Sequence, residues 1–335
     1  MPTPRADGSG RGARAVLDRV ALLAIGLTLA LLVLEGLLRV AVPQWRGLVA
    51  QRFMTTTGAG VLAGVPHFDG RIASLFGEFD VPVRLDARGF RNPETADPAA
   101  PLVFVGDSFC FGWGVLPEQS FPVLVADWLR IPAYNYCTVG ADLLDYLQIL
   151  RAWLPPGHRG PTVLTVTFEN DVLAYPEDTG DGTPSAMAQT VSRGGWSTWL
   201  MTHSALFNVT ATLARMNASI VALVRRLGLV SGVPAVSASG VDPIAASARL
   251  IGRIRDVAGS GPFLVLVVPP RPGQVDLVDY DSFVATLRRT GFAVIDPRAE
   301  HLPMSTIPRD GHWDAATHAA VAPVVAERLT RDGAR

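Results

Sequence analysis

"LVFVGDSFCFGWGV" runs from Leu102 to Val115. Four apolar residues, enough for a short buried strand, stop at Gly106 and give way to Asp107-Ser108, with further glycines just beyond. A strand that breaks in this way can simply cap the next helix through Asp107 or Ser108. It can equally present the serine hydroxyl at the rim of a sheet, and the rest of the chain has to decide between the two.

Working outward, similar short apolar runs recur at Ala133–Cys137, Val163–Phe168, Phe263–Val268 and Phe292–Ile295. Amphipathic helical patterns lie between and after them, near Phe121–Leu129, Leu143–Trp153, Ala205–Leu227, Ile244–Val257, Phe283–Arg289 and Ala315–Leu329. Apolar strands alternating with helices predict a three-layer α/β/α domain over 101–335, with a parallel five-stranded sheet buried on both faces. Tyr175–Ser197 and "SGVPAVSASG" (Ser231–Gly240) read as loops or insertions. "GAGVLAG" at Gly58–Gly64 resembles a dinucleotide loop, but it lacks a preceding strand and the right glycine spacing. Residues 43–100, punctuated by Gly and Pro with extended pieces such as Val81–Leu85, read as a stalk or lead-in. Asn208-Val-Thr and Asn217-Ala-Ser match the glycosylation triplet, but both fall in a helical stretch.

Hydrophobic residues make up 49% of the 335 positions, which directs attention to a membrane segment. Val20–Val42 is nearly uncharged and long enough to cross a hydrocarbon core of about 30 Å. Arg5, Arg11, Arg14 and Arg19 precede it, so the positive-inside rule keeps a tail over 1–19 in the cytoplasm. Arg39, Arg46 and Arg52 on the far side reduce that asymmetry. The run is too long for a signal peptide, and "VAVPQW" offers no small-x-small cleavage site. The sequence therefore predicts a single-pass anchor over 20–42, with the body periplasmic or extracellular.

A formal net charge of -1 and the absence of a basic run give nucleic acid no electrostatic foothold. Every basic residue is arginine. The two cysteines, Cys110 and Cys137, are too few for a disulfide scaffold or a structural zinc site. They are read as buried free thiols, with a disulfide open to them in an oxidising compartment.

Ligands of open parallel sheets bind beyond the carboxyl ends of the strands. Just past the first candidate strand stands Gly106-Asp107-Ser108. "NYCTVG" delivers Gly140 after the second, "TVTFENDV" delivers Asn170 at the end of the third, and "RDGHWD" delivers Asp310 and His312 after the fifth. These four blocks in this order resemble the SGNH (GDSL) hydrolase superfamily over roughly Gly89 to the C-terminus. "GFR" (Gly89–Arg91), "FP" (Phe121-Pro122) and the "DGHWD" ending are similar to its membrane-anchored, extracytoplasmic branch. The resemblance implies a flavodoxin-like sheet and a serine nucleophile at Ser108. It also implies an oxyanion hole from the Ser108 and Gly140 backbone N–H groups and the Asn170 amide.

The residue types suit that chemistry. A serine hydroxyl needs a base, and His312 has a reference pKa close to working pH. Asp310, two residues earlier, can fix its tautomer. Each residue also has a bland reading, as helix cap, turn glycine, Asx turn or surface histidine. A metal site of Asp310, His312, Asp314 and His318 is set aside, because the hydrolase reading uses two of them and no further ligand converges. Phe168, Asp314 and Thr317 depart from the family pattern.

The resulting expectation is a serine esterase or deacylase that needs no cofactor or metal. Its substrate would be an O-acyl ester, such as an O-acetyl group, of a glycan or lipid outside the cytoplasm. Two alternatives remain open. One is an O-acyltransferase of extracellular polysaccharide or cell wall working beside a membrane-bound acyltransferase. The other is a non-catalytic glycan-binding protein on the same fold.

Overall fold

The computed structural model describes residues 9–176, 183–217, 240–270 and 279–333. Its first element, α1 (Ser9–Ala41), contains a 26-residue span, Val16–Ala41, long and apolar enough to cross a membrane, most of it exposed, with Glu35 and Leu38 partly covered near its end. The helix starts well before Val20, because helical hydrogen bonding continues through the arginine- and alanine-rich residues ahead of the apolar run.

Two 3-10 segments, Pro43–Leu48 and Ala50–Arg52, lead into two antiparallel hairpins. β1 (Met54–Thr56) pairs with β2 (Leu62–Gly64), and β3 (Asp69–Ala73) with β4 (Asp80–Arg84). Phe53, Leu62, Ile72, Val83, Leu85 and Phe90 are buried in the same core cluster as the main sheet. The expectation of a stalk over 43–100 is therefore corrected. Alternating residues of the hairpins carry side chains too apolar to leave in water, and they seal one side of the domain. "GAGVLAG" is the turn and second strand of the first hairpin. A side chain on its last residue would collide with the Gly89 carbonyl, so Gly64 serves close backbone approach.

The main sheet follows. β5 (Leu102–Val105) leads into α2 (Ser108–Phe111) and α3 (Phe121–Leu129); β6 (Ala133–Asn135) leads into α4 (Leu143–Trp153). β7 (Thr162–Thr167) passes directly into the single turn α5 (Phe168–Asp171). α6 (Ala186–Arg193), α7 (Trp196–His203) and α8 (Ala205–Arg215) form a helical arm, and α9 (Pro243–Ala258) returns the chain to β8 (Phe263–Val268). α10 (Tyr280–Arg289), β9 (Ala293–Ile295) and α11 (Ala315–Gly333) complete the fold.

The strands are all parallel in the order β6-β5-β7-β8-β9. Counted from β5 this is the 2-1-3-4-5 order, whose direction reverses between its first and third strands. Val103 pairs with Thr162 across that reversal, and every residue of β5 and β7 is buried, as a sheet covered on both faces requires. α3 packs against α11 and α4 against α9, giving the two helical layers.

Two more readings change. Within Tyr175–Ser197, read as loop, Ser185 caps α6 by accepting from the Ala188 N–H, and Ala188 is buried in the core. Cys110 and Cys137 form a disulfide rather than two free thiols. The short helix α2 brings Cys110 beside the end of β6 with a Cα–Cα distance of 5.6 Å, inside the range a disulfide spans. The Asn208 side chain is fully buried, with its amide donating to the Met201 carbonyl at 2.7 Å, which leaves no room for a glycan. Helix Ala205–Leu227 is described as far as Arg215, and the loop read at 231–240 lies outside the described residues up to position 239.

Candidate active site

The sheet topology gathers the loops after β5, β6 and β7 at one edge, where the strand order reverses. After β5 the helix cap is Asp107, whose carboxylate accepts the Phe109 N–H at 3.0 Å. Ser108 is thus the first helical residue, with its side chain released from capping. Its Oγ lies 2.7 Å from Nε2 of His312.

The segment that carries His312 is folded by its own backbone. Arg309 and Gly311 both take left-handed conformations, with φ of 60° and 89°. The Gly311 N–H returns to the Ile307 carbonyl at 2.9 Å, and the Ile307 N–H to that of His312 at 2.8 Å. This tight loop turns the Asp310 carboxylate back on its neighbour: Oδ1 sits 2.5 Å from His312 Nδ1 and 3.2 Å from the His312 N–H. Burial alone would raise the Asp310 carboxyl, but the hydrogen bonds and charge of His312, with Trp113, outweigh it and hold it below its ordinary value. Ser108 Oγ, His312 and Asp310 therefore form one hydrogen-bonded line whose carboxylate is ionised.

Gly140 and Asn170 are tied to each other and to the Ser108 loop. The Thr138 N–H donates to the Gly106 carbonyl at 2.9 Å, joining the loop after β6 to that after β5. Asn170 Nδ2 donates to the carbonyl of Ala141, next to Gly140, at 2.9 Å. Gly140 has a φ of 74°, which strains any side chain there, and a Cβ would lie 2.5 Å from Met187 Cε on α6, so that flexible end would have to move aside. The turn α5 that carries Asn170 is held by buried Asp171, which accepts the Thr167 N–H at 2.7 Å and the Tyr146 hydroxyl at 3.1 Å.

Several residues that shape this place were given no role by sequence reading. Trp113 Nε1 donates to Asp310 Oδ2 at 3.1 Å, and its ring centroid lies 5.8 Å from that of His312. Phe109 covers the other side at 4.8 Å. Buried Arg91 donates to four main-chain carbonyls, those of Pro82, Phe111, Gly112 and Val115, and so fixes the far end of the Ser108 helix and the turn after it. Trp113 and Asp310 are 197 positions apart, so their pairing left no local signal; the "GFR" triplet did mark Arg91.

Asp314 and His318 are occupied elsewhere. Asp314 accepts the Thr317 N–H at 2.9 Å in the first turn of α11, and His318 Nδ1 accepts the Phe121 N–H at 3.2 Å. Burial drives His318 down to about 3, with the Arg91 charge adding to it, so the ring is neutral. Burial also pushes Asp107 up to about 6, against the Phe109 N–H and the His312 charge. Among the described residues, no three His, Cys, Asp or Glu side chains converge as a metal site.

No family model matches the chain, and no curated protein does. Solved structures do. A carbohydrate esterase family 2 enzyme with a carbohydrate-binding domain, from Corynascus thermopiles (Myceliophthora fergusii), is 13% identical with a TM-score of 0.40, over 73% of this chain and 69% of that one. Phospholipase A1 from Streptomyces albidoflavus NA297 is 15% identical with a TM-score of 0.37, over 68% and 99%. A putative lipolytic protein of the G-D-S-L family from Desulfitobacterium hafniense DCB-2 is 11% identical with a TM-score of 0.32, over 68% and 98%.

Proposed function

We infer that the chain is an SGNH-type serine ester hydrolase, held to a membrane by α1 and acting on an O-acyl ester of a glycan or lipid outside the cytoplasm. The observation that carries this is the line from Ser108 Oγ through His312 to Asp310, with contacts of 2.7 and 2.5 Å.

In the proposed reaction Ser108 Oγ attacks the ester carbonyl as its proton passes to His312 Nε2. Asp310 holds the opposite ring nitrogen and stabilises the imidazolium that forms. The C=O electron pair moves onto oxygen, which is met by the N–H groups of Ser108 and Gly140 and by the Asn170 amide, which keeps its 2.9 Å bond to the Ala141 carbonyl and exchanges the longer, 3.3 Å contact with Asp171 Oδ1 for the oxyanion. Collapse breaks the bond to the alcohol, which leaves with the proton from Nε2. Water then attacks the acyl-serine by the same route, releasing the acid and restoring the hydroxyl. The arginines ahead of the span favour an N-terminus in the cytoplasm, which places the site on the far side.

The test is turnover of p-nitrophenyl acetate, together with labelling by a fluorophosphonate probe. Ser108→Ala should abolish both in the detergent-solubilised chain. A variant as active as wild type would remove Ser108 from the reaction.

A further inference from the structure

Where α1 ends, the domain folds back against the helix. Glu35, nearly two turns before the end of α1, accepts the N–H groups of Ala205 and Leu206 at 2.9 Å and the Ser204 hydroxyl at 2.8 Å, which seats the start of α8 on the anchor. Arg39 joins Glu35 at 2.7 Å and donates to the His203 carbonyl, the last residue of α7. Trp45, Leu48, Ala205 and Val209 close a small apolar cluster beneath this junction. α7 is therefore fixed at the level where the chain leaves the apolar span.

From that position α7 holds two large apolar side chains in the open: Trp196 is 74% exposed and Trp199 60%. Indoles with one apolar face and one N–H favour the membrane–water boundary. α7 also packs on Ala50–Arg52, which borders a cavity of about 520 Å³ directly after the helix end, lined in part by Pro43, Gln44, Arg46, Arg52 and Arg71. Among the described residues Arg39 and Arg71 have carboxylate partners, but Arg46 and Arg52 form no ion pair. The Arg52 guanidinium is lowered by burial and by the Arg46 charge, as two like charges facing one site require. Arg46 lies over the Trp45 ring at 4.7 Å, and Arg52 lies over Phe68 at 5.9 Å and donates once, to the Arg46 carbonyl at 3.3 Å, so neither charge is neutralised by these contacts.

We propose that α7 and the Arg46–Arg52 cavity form a lipid footing, in which Trp196 and Trp199 enter the headgroup layer and the two arginines hold a phospholipid phosphate. The inference rests on the proposed membrane anchoring, and it does not depend on the chemistry at Ser108.

The full chain is reconstituted in phosphatidylcholine nanodiscs with bromine on the upper acyl carbons. Wild-type tryptophan emission should be quenched, and Trp196→Phe/Trp199→Phe should lose that quenching. In native mass spectrometry of the detergent-solubilised chain, Arg46→Gln/Arg52→Gln should bind phosphatidylglycerol at least fivefold more weakly. Diacylglycerol, which has no phosphate, should bind wild type and variant alike. p-Nitrophenyl acetate turnover should match wild type in both variants. Equal quenching with and without the two indoles, or phosphatidylglycerol bound as tightly by the arginine variant, overturns the footing while the anchor stands. A chain that carbonate strips from membranes overturns footing and anchor together.

Discussion

Asp310 takes hydrogen bonds on both oxygens, from His312 on Oδ1 and from Trp113 on Oδ2. The second bond sets the angle from which the first is made, so Trp113 is a positioning residue in the proposed reaction. Its ring also packs edge-on against Phe79 and beside His312, contacts that phenylalanine can largely keep. Trp113→Phe thus removes one N–H to a charged acceptor, worth about 1.5–3 kcal/mol. If part of that is felt in the transition state, kcat toward p-nitrophenyl acetate falls on the order of tenfold with KM nearly unchanged. A change confined to KM, or no change at all, would show that Asp310 keeps its angle without the indole. Asp107 illustrates the same economy of roles. By capping α2 it leaves the Ser108 hydroxyl to His312, so the capping role falls on Asp107 and the serine is left free for the proposed reaction.

At the scale of elements the site depends on joints between neighbours. The disulfide ties α2, which bears Ser108, to the end of β6, from which the Gly140 loop departs. His318 on α11 accepts the first N–H of α3 and stacks on Phe121 at 5.9 Å, so it joins the two helices of one layer. Its folded-state pKa of about 3 lies far below the ordinary histidine value of 6.5. Between those values the unfolded chain binds a proton that the folded one refuses. This contribution is therefore intact above pH 6.5 and is lost as pH falls toward 3. Unfolding by urea should show wild type losing roughly 3 kcal/mol more than His318→Gln between about pH 7 and about pH 4. Parallel pH profiles for the two proteins would mean that His318 accepts its proton without opening the α3–α11 contact. None of this was legible beforehand. A histidine at 318 reads equally as surface, ligand or core, and only the partner 197 positions away distinguishes them.

For the whole molecule, the strands of the main sheet were legible and residues 43–100 were not. The candidate strands at 102–105 and 263–268 fall on β5 and β8 residue for residue, because buried parallel strands are written as unbroken apolar runs bounded by breakers. Val163–Phe168 missed by one position at each end, since Phe168 is apolar but already turns into α5. The blocks carrying Ser108, Gly140, Asn170 and His312 were visible because each follows a strand. Trp113, Met187 and Arg91 act across the fold and carry no local period. Residues 43–100 were misjudged for a related reason. Three- to five-residue hairpin strands rich in Gly and Pro look like linker until their partners are known. The structure makes them core: Phe53, Ile72, Val83 and Phe90 are at most 1% exposed, and Arg91 clamps the loop after Ser108. Removing them would uncover several large apolar side chains, each worth about 1.5–3 kcal/mol, against a total stability of only about 5–15 kcal/mol. A chain beginning at Pro43 should therefore keep a cooperative thermal transition, having lost only α1, its Leu38 and Val42 packing on the Trp45 cluster, and the Glu35 and Arg39 bonds to residues 203–206. A chain beginning at Pro101 should be insoluble or melt without cooperativity. A sharp, wild-type-like transition in the shorter chain would return residues 43–100 to the status of a lead-in.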